Sequence, residues 1–171
     1  MAERTQAITL HGNPFTLAGD PIKMGHPAPD VTLLDNDLKP VKLSDYRGKV
    51  VVVAAVPSLD TPVCDMETRR FNTEAAGLGE QVAILTVSMD LPFAQKRWCG
   101  AAGVEQVVTL SDHREAAFGQ AYGLLINELR LLARAVLVLD REGVIRYYQL
   151  VEEVSQEPDY EAALRAVREL A

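Results

Sequence analysis

Cys64 and Cys99 are the only thiols in the chain, and the surroundings of the first are those of a nucleophile. Cys64 follows an apolar run ending at Val56 and a turn from Pro57 to Pro62, which places it in the first turn of a helix. Unpaired backbone N–H groups and the positive end of the helix dipole favour an anion there, and thiols at helix starts titrate below the free value of about 8.5. The thiolate is the reactive form of the sulfur. Thr61, three residues earlier, can bring a hydroxyl to the sulfur or to an oxygen bound beside it. Pro57 and Pro62 stiffen the loop and carry no N–H of their own. A cysteine buried as a small hydrophobe is the commoner alternative, and the strand-to-helix turn is what sets Cys64 apart from it.

The other polar groups point to less. His11, His26 and His113 are scattered, with no paired spacing, so neither a metal nor another cofactor is expected. Gly77-Leu78-Gly79 lacks the Lys-Ser/Thr of a phosphate loop and reads as a helix stop, while Glu152, Glu153 and Glu157 read as a solvated face. With 17 basic against 24 acidic residues the formal charge is -7, the wrong sign for a nucleic-acid partner. The opening MAERTQAITL has no apolar run of signal-peptide length, and no stretch approaches the roughly 18 apolar residues of a spanning helix. A soluble protein that stays in the cytoplasm, away from membranes, is expected. In that reducing compartment a pairing of the two cysteines would be chemical rather than structural.

Positioning these residues requires a core, and 171 residues at 48% hydrophobic fit a single domain over 1–171. Ile8, Leu10, Phe15 and Leu17 alternate about Gly12-Asn13-Pro14, predicting an N-terminal hairpin extension over 1–18. Val31, Leu33, Val41 and Leu43 alternate about a polar turn, and Ser44 and Asp45 predict the cap of a short helical turn. Lys49 to Val56 is apolar without alternation, as in a central strand buried on both faces. A helix then runs from Pro62 to Gly77, with Met66, Arg70 and Phe71 at helical spacing, and Val82 to Ser88 is a second buried strand parallel to the first. Asp90 to Trp98 predicts a second helix stopped by Gly100, and Ser111 the cap of a third that ends at Tyr122. Ala135 to Leu139 and Val144 to Val151 form a hairpin, and a last helix opens near Pro158 with Tyr160, Leu164 and Val167 on one face. This order predicts an α/β protein of thioredoxin-like fold, a mixed central sheet flanked by helices behind an N-terminal β-hairpin.

The segment Pro57-Ser58-Leu59-Asp60-Thr61-Pro62-Val63-Cys64 resembles the PxxxTxxC signature of the peroxiredoxins. The resemblance extends through Gly12-Asn13-Pro14, Arg69 with Phe71-Asn72, Asp90 to Gln95, Cys99-Gly100, Ala133 to Val136 and Glu157 to Leu164. Within that family it is closest to the atypical two-cysteine subfamily, the thiol peroxidases. It implies that Cys64 is the peroxidatic cysteine and Cys99 the resolving one. Thr61 would contact sulfur and peroxide, Pro57 would shield the sulfur, and Arg134 would face it from a neighbouring strand. Without the resemblance Arg134 reads as a strand-end surface residue. The implied reaction reduces hydrogen peroxide and alkyl hydroperoxides through a Cys64 sulfenic acid and a Cys64–Cys99 disulfide, with thioredoxin as reductant and a homodimer as the assembly.

That chemistry carries a mechanical demand. Cys64 opens one helix and Cys99 is expected to close another, a helix of about eight residues is about 12 Å long, and a disulfide needs Cα atoms within about 7 Å. Both helix ends must therefore unwind locally. A thioredoxin-type dithiol carrier would share the fold but needs C-x-x-C, whereas Asp65 to Trp98 separate these cysteines. A non-catalytic binding module would hold inert thiols, which slow iodoacetamide labelling would reveal.

Overall fold

The computed structural model describes residues 2–171. The chain opens with strands β1 (Glu3–Leu10) and β2 (Asn13–Ala18). They are joined through His11 and Gly12 at φ 52° and 81°, the left-handed pair that lets a two-residue turn follow the strand twist. The turn therefore sits one residue earlier than expected, and Asn13 and Pro14 already pair with Leu10 and Thr9.

Next come β3 (Thr32–Leu34), β4 (Pro40–Lys42), a 3-10 turn over Leu43–Tyr46, and β5 (Val50–Ala55). The 3-10 turn is held by the Asp45 carboxylate accepting from the Lys42 N–H, while Ser44 lies inside it and donates to Asp30. Helix α1 (Pro62–Ala75) leads to β6 (Val82–Ser88), and α2 (Pro92–Ala102) to β7 (Val107–Ser111). The short α3 (Ala117–Ala121) precedes β8 (Leu125–Ile126) and β9 (Leu131–Leu132). Finally β10 (Ala135–Leu139), β11 (Ile145–Leu150) and α4 (Tyr160–Leu170) complete the chain.

Seven strands form the expected mixed sheet, in the order β11-β10-β5-β6-β7-β3-β4, with β5, β6 and β7 parallel. Every residue of β5 is buried, and its pleat sorts the two layers. Val50, Val52 and Ala54 face Phe71 of α1, Trp98 of α2 and Tyr160, Ala163 and Val167 of α4. Val51, Val53 and Ala55 face the hairpin residues Ile8 and Leu17 together with Phe118, Tyr122 and Leu124. Burying each such valine is worth roughly 2 kcal/mol, so a charge at Val53 would undo both the strand and the layer beneath it.

Three expectations are corrected. Helix α2 runs through Gly100 and stops at Gly103, whose φ of 69° forms a left-handed cap on the Cys99 carbonyl. A helical glycine costs only about 1 kcal/mol, and Ala101 and Ala102 sustain the turn. The third helix is shorter than expected, and its cap is the Asp112 carboxylate, which accepts from the N–H groups of Phe118 and Gly119; Ser111 stays in β7. Glu153 is not simply solvated. Its carboxylate accepts from Ser155, Gly12 N–H and Thr9 Oγ1, in that way fastening the hairpin turn.

The two-residue strands β8 and β9 have no sequence signal, yet they extend the hairpin into a four-stranded sheet β1-β2-β8-β9. Among the described residues no helix is long and apolar enough to cross a membrane.

Candidate active site

Cys64 occupies the third position of α1, behind Thr61 as N-cap and Pro62 as first helical residue. Proline has no N–H to leave unpaired, so the donors that the helix start directs outward are those of Val63 and Cys64. The buried face of α1 carries Cys64, Glu67, Thr68 and Phe71, the i, i+3, i+4, i+7 stripe of a helix lying on a sheet. Two members of that stripe, Cys64 and Glu67, share one hydrogen-bonding partner.

Arg134 meets both of them. It lies immediately before β10, whose antiparallel register sets Ala135 opposite Ala55 at the end of β5. The side chain is 2% exposed, not on the surface. Its Nη2 donates to Cys64 Sγ at 3.1 Å, its Nη1 to Glu67 Oε2 at 2.8 Å and its Nε to the Val154 carbonyl at 2.9 Å. All three guanidinium nitrogens are committed, so the plane of the group is fixed. The Val154 carbonyl is itself held in place because Val154 N–H donates to the Thr9 carbonyl of β1. The N-terminal hairpin thus braces the segment against which the arginine rests.

Glu67 lies outside the Pro57–Cys64 signature. Burial pushes its carboxyl up from 4.5 to about 7; the charge and hydrogen bond of Arg134 pull part of the way back, and the Glu157 charge adds to the rise. Its second oxygen, Oε1, has no partner. A charged residue on the apolar stripe of α1, three positions after the cysteine, is the sequence signal that marks it.

The loop before the helix is anchored from β6. Asp90 Oδ1 accepts from Ser58 Oγ at 2.7 Å, and Oδ2 accepts from Leu59 N–H at 2.9 Å and from Ser88 Oγ at 2.8 Å. Pro57 is buried at the end of β5. The Thr61 hydroxyl donates to the Ser58 carbonyl at 2.9 Å. Its proton is therefore committed within the loop, and what it offers a neighbour is an oxygen lone pair.

Cys99 is half-buried within α2. Its Sγ lies 3.5 Å from Thr109 Oγ1, whose own proton goes to Asn36, so the thiol is the donor. The two sulfurs are free and face different partners.

A redoxin family model matches residues 23–164. A thiol peroxidase of Halalkalibacterium halodurans is 56% identical over 162 residues, covering 95% of this chain and 97% of the relative. That of Bacillus subtilis is 52% identical over 163 residues, covering 95% and 97%. The chain belongs to the redoxin family, among its thiol peroxidases. A solved peroxiredoxin-like protein from Aquifex aeolicus superposes on this redoxin with a TM-score of 0.91 at 42% identity, covering 97% of this chain and 98% of that one. The function of this redoxin is accordingly that of a thiol peroxidase: an antioxidant oxidoreductase that consumes a peroxide and a thiol reductant.

Proposed function

We propose that Cys64 takes the peroxide oxygen and that Cys99 resolves the product. The observation that carries this reading is the guanidinium nitrogen of Arg134 at 3.1 Å from a buried sulfur at a helix start. Arginine stays protonated, so a permanent positive charge stands beside the sulfur, ready for the oxyanion that develops as the O–O bond breaks. The Cys64 N–H is a second donor at the same point.

In the attack, the Cys64 thiolate takes the terminal peroxide oxygen, forming the S–O bond as the O–O bond breaks and the other oxygen is displaced. The leaving oxygen takes a proton and departs as water or an alcohol, and Cys64 is left as a sulfenic acid. Thr61, with its proton on Ser58, accepts a hydrogen bond from the incoming hydroperoxide and orients it. Pro57 excludes water from the sulfur. The Cys99 thiol then attacks the sulfenic sulfur, closing the disulfide with loss of water, and the two thiols of thioredoxin reduce it.

The same reading takes residues 1–171 as one thioredoxin-like domain with 1–18 as its hairpin extension, acting in the cytoplasm as a homodimer on hydrogen peroxide and alkyl hydroperoxides. The pairing of β2 with β8 supports the single domain, and the family likeness supports the rest.

The test is turnover of cumene hydroperoxide and hydrogen peroxide with thioredoxin, thioredoxin reductase and NADPH. Cys64→Ser abolishes turnover, whereas Cys99→Ser completes a first turnover near the wild-type rate and then stalls as a dimedone-trappable sulfenic acid. Cycling retained in Cys64→Ser would sink the assignment.

A further inference from the structure

The residue beside each cysteine reaches for the other helix. Trp98, next to Cys99 in α2, donates its Nε1–H to Oδ1 of Asp65, next to Cys64 in α1, at 2.8 Å. The Trp98 ring also packs against the small cluster of Val56, Leu59 and Cys64. Arg69 closes the arrangement, its Nε donating to Asp65 Oδ2 at 2.9 Å and its guanidinium carbon standing 5.7 Å from the Trp98 ring centroid. Its Nη1 reaches the Ala102 carbonyl in the last turn of α2 at 3.4 Å.

These contacts join the first turns of α1 to the last turns of α2, the two stretches that must part before the sulfurs can meet. Nothing in the peroxide step uses them. The Arg69–Asp65 pair is 50% and 34% exposed and contributes little by itself. The Trp98–Asp65 bond is half-buried and made to a charged acceptor, so it dominates.

We propose that the Asp65–Trp98 clasp sets the rate at which oxidised Cys64 is delivered to Cys99, and so the share of enzyme lost to further oxidation. This rests on the assignment of the two cysteines made above. While the clasp holds, the sulfenic acid waits in place and a second peroxide can convert it to sulfinic acid, itself leaving as water or alcohol. When the clasp opens, Cys99 Sγ attacks the sulfenic sulfur, the S–S bond forms as the S–O bond breaks, and the oxygen leaves as water with the thiol proton. No further oxidant or reductant enters that step. Asp65 and Trp98 are thus positioning residues for resolution, not catalytic residues.

The experiment compares wild type with Asp65→Ala and Trp98→Phe in single turnover, with quenched samples read by mass spectrometry. Disulfide formation should be about tenfold faster in both variants, the scale of one lost hydrogen bond to a charged group. The peroxide concentration giving half-maximal sulfinic acid should rise by a similar factor, while the sulfenate formation rate stays within about threefold of wild type. Trp98 is the sole tryptophan. Its emission should therefore shift when wild type is oxidised, and reduced Asp65→Ala should already show part of that shift. Asp65→Asn, which keeps an acceptor for Trp98, guards against misfolding and should fall between wild type and Asp65→Ala.

Two results would overturn the proposal, and they are distinguishable. Unchanged or slower resolution in the variants, with a normal Cys64–Cys99 disulfide in wild type, removes the clasp alone. No such disulfide in wild type removes the cysteine assignment and the clasp with it.

Discussion

Arg134 and Glu67 form an ion pair at 2.8 Å in which neither side chain is more than 2% exposed. The same guanidinium serves the Cys64 sulfur, so carboxylate and thiolate compete for one positive charge. Breaking a buried pair from one side leaves an uncompensated charge, and that asymmetry makes the site testable.

Glu67→Gln should change how stability depends on pH. Burial raises the Glu67 carboxyl from 4.5 to about 7, so between those values the native state binds more protons than the unfolded chain. The favourable contribution is complete below about 4.5 and is lost as pH rises through about 7, an effect on the order of 3 kcal/mol. Urea midpoints at pH 5 and pH 8 should therefore converge in Glu67→Gln relative to wild type. A stability difference between the two proteins that is independent of pH would mean that Arg134 keeps Glu67 ionised throughout.

Arg134→Ala should slow sulfenate formation by on the order of a hundredfold, the usual effect of losing one oxyanion donor. It should also destabilise the protein by about 3–5 kcal/mol through the orphaned carboxylate. Adding Glu67→Gln should recover part of the stability without recovering the rate, which separates chemistry from folding. Arg134→Lys should fail as well, since one ammonium cannot reproduce the planar fork that spans sulfur, carboxylate and carbonyl. Stopped-flow rates within about fivefold of wild type would contradict the arginine's role.

Thr61→Val keeps the branched shape at the N-cap of α1 and removes the oxygen. Peroxide reduction should fall by on the order of a hundredfold, judged by the loss of one positioned polar group, while Thr61→Ser stays within about fivefold. Equal rates in Thr61→Val and wild type would leave the hydroxyl as a loop anchor on Ser58 and nothing more.

The Glu153 carboxylate fastens the hairpin that braces Val154, and the hydrogen bonds of Ser155, Gly12 N–H and Thr9 hold it down at about 2, against 4.5 when free. Its contribution is present above about 4.5 and disappears as pH falls toward about 2. Glu153→Gln should accordingly lower the melting temperature at pH 7 more than at pH 3. The hairpin amides of residues 9 to 13 should exchange faster in that variant, and unaltered exchange would show that the turn holds without the carboxylate.

What the sequence by itself determined about this protein is its local order. The apolar run of β5, the proline-flanked turn, the opening of α1 and the hairpin at Gly12 follow from periodicity and turn chemistry, which act over a few residues. Those same rules placed Cys64 at a helix start, and the signature around it led to Thr61 and Pro57. The stop of α2 is not legible at Gly100, because one glycine signals a helix end as readily as a tolerated helical residue, and only the continuation through Ala101 and Ala102 to Gly103 distinguishes the two. Strands β8 and β9 are two residues each, too short to carry any period, and exist because β2 offers an edge to pair with.

What only the tertiary structure decided is which charges meet in the interior. Arg134 and Glu67 lie 67 positions apart, and Trp98 and Asp65 lie 33. Whether such a residue is a solvated surface group or a buried partner depends on the sheet order that brings β10 beside β5 and α2 beside α1. A charge in the interior is stable only with its counter-charge in place, so these pairings are a property of the assembled fold rather than of any segment within it.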